Sequence, residues 1–177
     1  TLQTNVLTAV ASYNNDTLED FAGMFRYSQV LQDINEADTS VLSNITTVKM
    51  YKYITPTLSS ALKYTLSFNN ALYNPHSGHN SSGGGIISST GFKINNDESL
   101  NEHYYLNGAT RVYTDSTYGT VDYATGEVIL TSANITSISD VDGAASTQIR
   151  VFVIPSSNDI VPVRNQVLSI DTSNSTI

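Results

Sequence analysis

The chain has 177 residues and a formal net charge of −8, from 16 acidic and 8 basic side chains. This length suits one domain or two small ones, and it is long enough to bury a core unaided. The acidic balance argues against nucleic acid as a partner, because phosphate binding requires clustered Lys and Arg. The lack of cysteine excludes disulfides and thiolate chemistry, and no apolar run approaches the roughly 20 residues of a membrane helix.

Solubility rests mainly on neutral polar groups. Only 14% of the residues are charged, whereas Ser, Thr, Asn and Tyr are abundant. This composition is typical of β-rich viral and surface proteins. Because the chain begins with Thr1, we expect it to be an excised part of a longer protein.

The first 37 residues are predicted to be helical. One apolar stripe has spacings of three and four and consists of Leu2, Val6, Ala9, Val10 and Tyr13. Residues 14–16 interrupt it, and Asp16 with Glu19 then matches a capping pattern that predicts a helix to about residue 26. A second, offset stripe consists of Met24, Tyr27, Leu31 and Ile34. The helix therefore either lies between two partners or breaks near residues 26–28.

From residue 44 the apolar period changes to two, which predicts strands. Residues 46–54 alternate as a half-buried strand, and residues 64–68 form another that could pair with it as a hairpin with a long loop. Residues 74–85, with three consecutive glycines, are predicted to be a loop. Residues 86–94 resume a strand pattern.

Three short strands are predicted within residues 103–131, with turns at Asn107-Gly108 and Thr125-Gly126. A loop at 139–146 precedes the strongest strand pattern, at 147–155, and residues 166–170 are predicted to be the last strand. The fold class is thus α+β, mostly β, with an N-terminal helical segment followed by antiparallel strands and hairpins. The predicted domains are 1–43, the helical segment and its corner, and 44–177, the β-rich part, unless both form one domain.

No constellation of side chains predicts an enzyme, a cofactor site or a metal site. His76 and His79 lie in the glycine-rich loop without further ligands nearby. Asp140-Val-Asp142-Gly143 begins like a calcium loop, but Ala144 and Val151 stand where oxygen ligands are needed. Neither a phosphate-binding glycine loop nor a nucleophile motif is present.

The stretch from Pro155 to Val167 contains two prolines and one pair of opposite charges. Pro155 and Pro162 lack an N–H donor and therefore mark strand ends. Asp159 and Arg164 bracket a short apolar link. We interpret the stretch as a connector and expect the two charges to pair, with each other or with a neighbouring subunit.

Three motifs, in order along the chain, carry a resemblance to a known family. The first spans residues 25–50, and its parts are Phe25-Arg26-Tyr27-Ser28, Asp33-Ile34, Asp38 to Asn44, and Thr46 to Met50. The second is VDYATGEVIL at 121–130, with Asp122, Tyr123 and Gly126. The third is the stretch with Pro155, Asp159, Pro162 and Arg164. Together they resemble the baseplate wedge proteins of T-even-type contractile-tailed phages, in the C-terminal part of the ring-forming subunit. The order Asp33-Ile34 departs from the family, which has these two residue types reversed.

The resemblance implies a structural protein of the virion with no catalytic activity in this region. Such subunits build the central ring of the tail baseplate, associate with like subunits and bind other wedge proteins. The implied location is the tail baseplate, assembled in the host cytoplasm, with neither nucleic acid nor a membrane as a partner.

Two features of the sequence fit such a role. Eleven tyrosines could supply contact surfaces, although strands also favour Tyr on their own account. Arg26 could pair with Asp33 or Asp38 and fix the corner between helix and strand, or it could be an exposed helix residue.

Two other functions are considered. Tyr-rich neutral loops would also serve a carbohydrate-binding tail-tip or adhesin module. A hydrolase acting on envelope polymers would need a pair of facing carboxylates, for which Asp97 and Glu98 are the candidates.

Overall fold

The computed structural model describes residues 1–74, 87–89, 99–107, 110–138, 140, 144–163 and 166–177. Its contacts divide the chain into two compact units. Unit 1 consists of Thr1–Val48 together with Ser157–Ile177, and unit 2 consists of Lys49–Ser156. The two ends of the chain therefore build one unit, and the middle builds the other.

Unit 1 contains the helices. Helix α1 spans Leu2–Tyr13 and widens into one turn of π-helix at Asn14–Leu18, and helix α2 spans Tyr27–Glu36. Val6 and Tyr13, two turns apart, are buried on α1, and Val30 is buried on α2. The apolar stripe at the start of the chain thus predicts the first helix correctly.

The helix predicted from Asp16 to about residue 26 is wrong, and the break between the two helices covers residues 19–26, earlier than the predicted 26–28. The Glu19 carboxylate accepts the side-chain amide of Asn14 at 2.8 Å, so it takes no part in a capping box. Residues 19–26 form bends and turns, and α2 begins only at Tyr27. The offset stripe belongs to a separate helix.

Unit 2 contains two antiparallel sheets, which confirms the α+β, mostly β fold class. The first has the order β1-β7-β3, with β1 at Met50–Ile54, β7 at Ile149–Val153 and β3 at Ile87–Ser89. The second has the order β2-β6-β5-β4, with β2 at Ala61–Ser67, β6 at Glu127–Asn134, β5 at Thr110–Asp122 and β4 at Ser99–Asn107.

The hairpins were predicted correctly where the turn signal is local. Asn107 pairs with Thr110, so β4 and β5 are consecutive antiparallel strands, and residues 108–109 between them lie outside the described residues. Asp122 pairs with Glu127, which closes β5 and β6. The hairpin between β1 and β2 is wrong, because β1 pairs with β7 and β2 pairs with β6. Residues 166–170 form no strand.

The core of unit 2 draws on both sheets. Its buried residues include Val128 and Leu130 of β6 and Val151 and Val153 of β7. Side chains of β7 alternate strictly between buried and half-buried, as expected for a strand between two neighbours. Each fully buried valine stabilises the fold by roughly 1.5–3 kcal/mol relative to an exposed one. None of the helices in the described residues is long and apolar enough to cross a membrane.

Candidate functional site

The first and third sequence motifs meet at the start of α2. Phe25 and Ile160 form a two-residue antiparallel bridge, in which each N–H donates to the other's carbonyl at 3.0 Å. Both side chains are buried. The Oδ1 atom of Asp159 accepts the N–H of Tyr27 at 2.8 Å. Because the first N–H groups of a helix have no partner within it, Asp159 caps α2 from a distant part of the chain.

Residues 24–27, where the chain enters α2, form a corner that is also in contact with helix α1. The Tyr13 hydroxyl accepts the N–H of Arg26 at 2.8 Å and donates to the carbonyl of Met24 at 3.4 Å. The rings of Tyr13 and Phe25 pack edge to face, with centroids 6.0 Å apart. One buried tyrosine thus satisfies the backbone at the point where the chain enters α2.

A buried asparagine connects α1 to the C-terminal segment. Asn14 Oδ1 accepts the N–H of Ile170 at 2.6 Å, and its amide donates to Glu19. Residues 166–170 were predicted to be a strand, but the N–H of Ile170 is hydrogen-bonded to a side chain and the segment forms no strand. A signal for this contact exists in the sequence, since Asn14 follows Val6 and Val10 at spacings of four and so continues the apolar stripe of α1.

Asp38 connects the residues after α2 to the first turns of α1. Its carboxylate accepts the hydroxyl of Ser40 at 2.6 Å, the N–H of Ser40 at 2.9 Å and the amide of Asn5 at 2.9 Å. The Ser40 hydroxyl, followed by the Ser40 N–H and the Asn5 amide, lowers the pKa of Asp38 below its ordinary value of 3.8.

An extended segment, residues 42–48, follows and is attached to α2 by side chains. The Asn44 amide donates to the Leu31 carbonyl at 3.2 Å and to Asn35 Oδ1 at 2.8 Å. The Tyr27 hydroxyl donates to the carbonyl of Thr46 at 2.8 Å. Among the described residues, no N–H group of residues 42–48 donates to a backbone oxygen.

Two large apolar side chains of this segment are open to solvent. Leu42 is 96% exposed and Ile45 is 101% exposed. From residue 44 onward, half-buried and exposed side chains alternate, as in a strand without a neighbour. This pattern of exposure is typical of an edge strand, although the segment belongs to neither sheet of unit 2.

Arg26 is exposed, and no ion pair joins it to Asp33 or Asp38 in the described part of the chain. Asp33 instead accepts the amide of Gln29 at 2.9 Å. Of the two alternatives, the ion pair is absent from the described residues, and Arg26 is exposed but precedes α2, so it is not a helix residue. Arg164, the expected partner of Asp159, lies outside the described residues, and Pro162 is half-buried.

The second motif forms the turn between β5 and β6. Asp122 Oδ1 accepts the N–H of Ala124 at 2.9 Å and that of Thr125 at 3.1 Å. Hydrogen bonds from Thr125, side chain first and then backbone, lower the pKa of Asp122. Gly126 has φ +74°, and a Cβ there would overlap the carbonyl oxygen of Asn70.

Two further candidates lie next to this turn. The carbonyl of the buried Tyr123 accepts the N–H of Leu72 at 2.7 Å. Leu72 also bridges Pro155, which is buried at the end of β7. These residues hold a loop of unit 2 in place, so their observed contacts are structural.

The other candidates for a site are a cluster of metal ligands and a groove in unit 1. No group of three or more His, Asp or Glu side chains there could hold a metal ion. An open groove of about 570 Å³ in unit 1 is lined by Asp16, Arg26, Asp33 and Glu36 among others. His76, His79, Asp97, Glu98 and Asp142 lie outside the described residues.

Comparison with protein families gives one match. Residues 1–53 match the family model described as baseplate structural protein gp6, C-terminal domain III. The match includes the first of the three motifs and ends within β1, so it covers under a third of the 177 residues. No curated protein matches the chain. The match supports a structural protein of a phage baseplate, located in the virion tail and in contact with other baseplate proteins, and it does not single out the wedge subunit.

Proposed function

We propose that the chain is part of a wedge subunit that associates with copies of itself to build the central ring of a contractile phage tail. The match of residues 1–53 supports the baseplate, and the order of the three motifs supports the wedge subunit. The observation that carries self-association is the extended segment, residues 42–48, with Leu42 and Ile45 in solvent and no N–H group that donates to a backbone oxygen of the described residues. An edge of this kind is a template for strand addition by another chain.

A second copy of the chain fits this segment because the segment carries no charge. Residues 42–48 are Leu-Ser-Asn-Ile-Thr-Thr-Val, in a chain whose net charge is −8. Copies of an acidic chain repel each other over most of their surface, so a neutral, β-branched edge is where they can approach. Antiparallel pairing of two such edges about a twofold axis is self-complementary.

The test is the mass of the chain in solution, measured by size exclusion with light scattering. We expect dimers or larger oligomers for the unsubstituted chain. The double variant Leu42→Ser, Ile45→Ser removes the apolar contacts and should shift the population to monomer. A matched control, Val167→Ser, changes a side chain of unit 1 that is 53% exposed but lies outside the segment, and it should leave the mass unchanged.

Far-UV circular dichroism of the double variant checks the fold. Because both side chains are exposed, the helical signal should stay at the level of the unsubstituted chain. A strict monomer at high concentration, or an oligomer that the double variant leaves intact, would contradict self-association through this segment.

The remaining parts of the proposal follow from the same role. Contacts with other wedge proteins and assembly of the ring in the host cytoplasm are proposed for the complete subunit. Neither a cofactor nor nucleic acid is required for such a role.

A further inference from the structure

A second exposed apolar feature of unit 1 lies in the link between the π-helical turn and α2. Residues Asp20 to Gly23 form a reverse turn, in which the N–H of Gly23 donates to the carbonyl of Asp20 at 3.1 Å. Ala22 has φ +70° and Phe21 does not have a positive φ, which is the pattern of a type II turn. Phe21 occupies the tip and is 86% exposed.

The backbone of this turn is held by close contacts, although the Phe21 side chain at its tip makes few. Asp20 Oδ1 accepts the N–H of Phe21 at 2.6 Å. Gly23 packs so closely on the preceding turn that a Cβ there would lie 2.5 Å from the Thr17 carbonyl oxygen and 2.7 Å from that of Leu18. Leu18, just before the turn, is buried, with 1% of its surface exposed, and so fixes the start of the link.

Ala22 occupies a backbone conformation that suits glycine. A type II turn needs a positive φ at its third residue, where Gly or Asn is usual. An alanine held there is strained, and such strain persists only where the surrounding structure imposes it. The strained turn does not bury the Phe21 ring within the chain, because the ring at its tip remains in solvent.

The charge around Phe21 disfavours a contact in which two copies meet through this same turn. Residues 14–23 carry Asp16, Glu19 and Asp20, all exposed, and the first basic residue of the chain is Arg26. Two copies that met through this turn would bring three carboxylates against three others. Like charges in apposition cost several kcal/mol and steer partners apart.

We propose that residues 20–23, the Phe21 turn, form a docking site for a different protein, one that offers an apolar pocket bordered by Lys or Arg. Phe21 enters the pocket as an aromatic anchor, and because the turn is already rigid, little conformational entropy is lost on binding. The carboxylates of Asp16 and Asp20 face the basic rim and accelerate association at low salt. This inference rests on the proposed function only in that the partner is another baseplate protein.

Photocrosslinking in assembled particles tests this surface. The full chain carries p-benzoylphenylalanine in place of Phe21, is assembled with the other tail proteins, and is irradiated. Mass spectrometry should map the crosslink to a different protein, at apolar residues with Lys or Arg close by. The same probe in place of Leu42 is the matched control and should crosslink to another copy of the chain.

The partner identified by the crosslink is then purified by itself, and its binding to the full chain tests the roles of the Phe21 ring and of the carboxylates. Phe21→Ala should weaken binding to the full chain about tenfold or more, as expected for an aromatic anchor. Asp16→Asn should slow association by a smaller factor at low salt, and added salt should remove that difference. Val167→Ala is the control and should bind like the unsubstituted chain.

Three results would overturn the inference. They are a crosslink from position 21 to another copy of this chain, no crosslink from position 21 where position 42 gives one, and unchanged affinity of Phe21→Ala. All three leave the proposed self-association untouched, because that is decided by the mass of the free chain and by residues 42–48.

Discussion

Asp159 joins two parts of the chain that lie 132 positions apart, because its Oδ1 atom accepts the N–H of Tyr27. Replacement by Ala removes the cap of α2 and the carboxylate that favours the positive end of its dipole. We expect Asp159→Ala to lower the free energy of unfolding by about 0.5–2 kcal/mol. Urea titration followed by circular dichroism at 222 nm measures this, since the helices of the described residues all lie in unit 1.

Two further variants are compared with Asp159→Ala, one with a partial effect and one as a control. Asp159→Asn keeps an oxygen acceptor without the charge, so it should fall between the unsubstituted chain and Asp159→Ala. Asp16→Ala removes an exposed carboxylate with no cap to lose, and it should change stability by less than about 0.5 kcal/mol. Equal stability for all the chains would contradict a capping role for Asp159.

Asp38 makes the helical unit sensitive to acid. Its pKa is lowered in the folded state by Ser40 and Asn5, whereas in the unfolded chain it returns to about 3.9. The stabilisation is therefore fully present above that unfolded value and is lost as the pH falls through the folded value. We expect Asp38→Asn to be less stable than the unsubstituted chain at pH 6, and the difference to shrink toward pH 3.

Urea midpoints measured at intervals between pH 6 and pH 3 follow this difference. Asp122 also has a lowered pKa, but it is present in both chains, so their difference isolates Asp38. A difference that stays constant over the range would show that titration of Asp38 does not contribute.

The residues of the corner were only partly predictable from the sequence. Tyr27, Asp38, Asn44 and Asp159 were singled out as part of motifs, but their partners were not, since a single sequence contains no distance between residues 27 and 159. For Arg26 an ion pair and an exposed helix position were both considered, whereas the contact that the structure shows is made by its backbone N–H, which donates to the Tyr13 hydroxyl. A charged side chain in the sequence indicates that an ion pair is possible, but the sequence gives no signal for a hydrogen bond made by the backbone N–H of the same residue.

At the scale of elements, the turn between β5 and β6 depends on Gly126. An L side chain at φ +74° is strained by about 1–3 kcal/mol, and the added Cβ would also overlap the Asn70 carbonyl. We therefore expect Gly126→Ala to destabilise unit 2 by at least that amount and to loosen the bond from the Phe68 N–H to the Gly126 carbonyl, now 2.9 Å.

Hydrogen exchange with mass spectrometry locates the effect of Gly126→Ala. Amides of β2 and β6 should lose protection, while those of α1 and α2, in unit 1, should keep theirs. Ala124→Ser, an exposed substitution in the same turn, is the control and should leave exchange unchanged. Full protection of β2 and β6 in Gly126→Ala would show that the turn tolerates a side chain.

The elements show which sequence signals are reliable. The turn at Thr125-Gly126 was correct and β4 pairs with β5 around Asn107-Gly108 as predicted, because a short connection between paired strands has a local sequence signal; residues 108–109 lie outside the described residues. The β1–β2 hairpin was wrong, because strand patterns identify strands without identifying their partners, and the partners here lie about 60–100 residues away. The helix from Asp16 was wrong because the Asp-x-x-Glu pattern arose inside a π-helical turn.

At the scale of the whole molecule, the chain ends share one unit while β1 to β7 form the other. The predicted domains, 1–43 and 44–177, concern independent folding and stay a prediction. That division places residues 157–177 with the β-rich part, although their contacts with Phe25, Tyr27 and Asn14 lie in unit 1. The family match covers the N-terminal portion of unit 1 and does not extend to its C-terminal portion.

Removal of residues 157–177 distinguishes these two divisions. The deletion takes away the Asp159 cap, the Phe25–Ile160 bridge and the acceptor role of Asn14, which leaves buried polar groups without partners. We expect the helical signal at 222 nm and the protection of amides in α1 and α2 to fall, while amides of β6 and β7 stay protected. Removal of residues 173–177 alone is the control, since the hydrogen bonds of Asn174 and Ser175 go to Asp171. If α1 and α2 kept full protection without residues 157–177, the first 48 residues would fold by themselves, and the division after residue 43 would be the better description of the folding units.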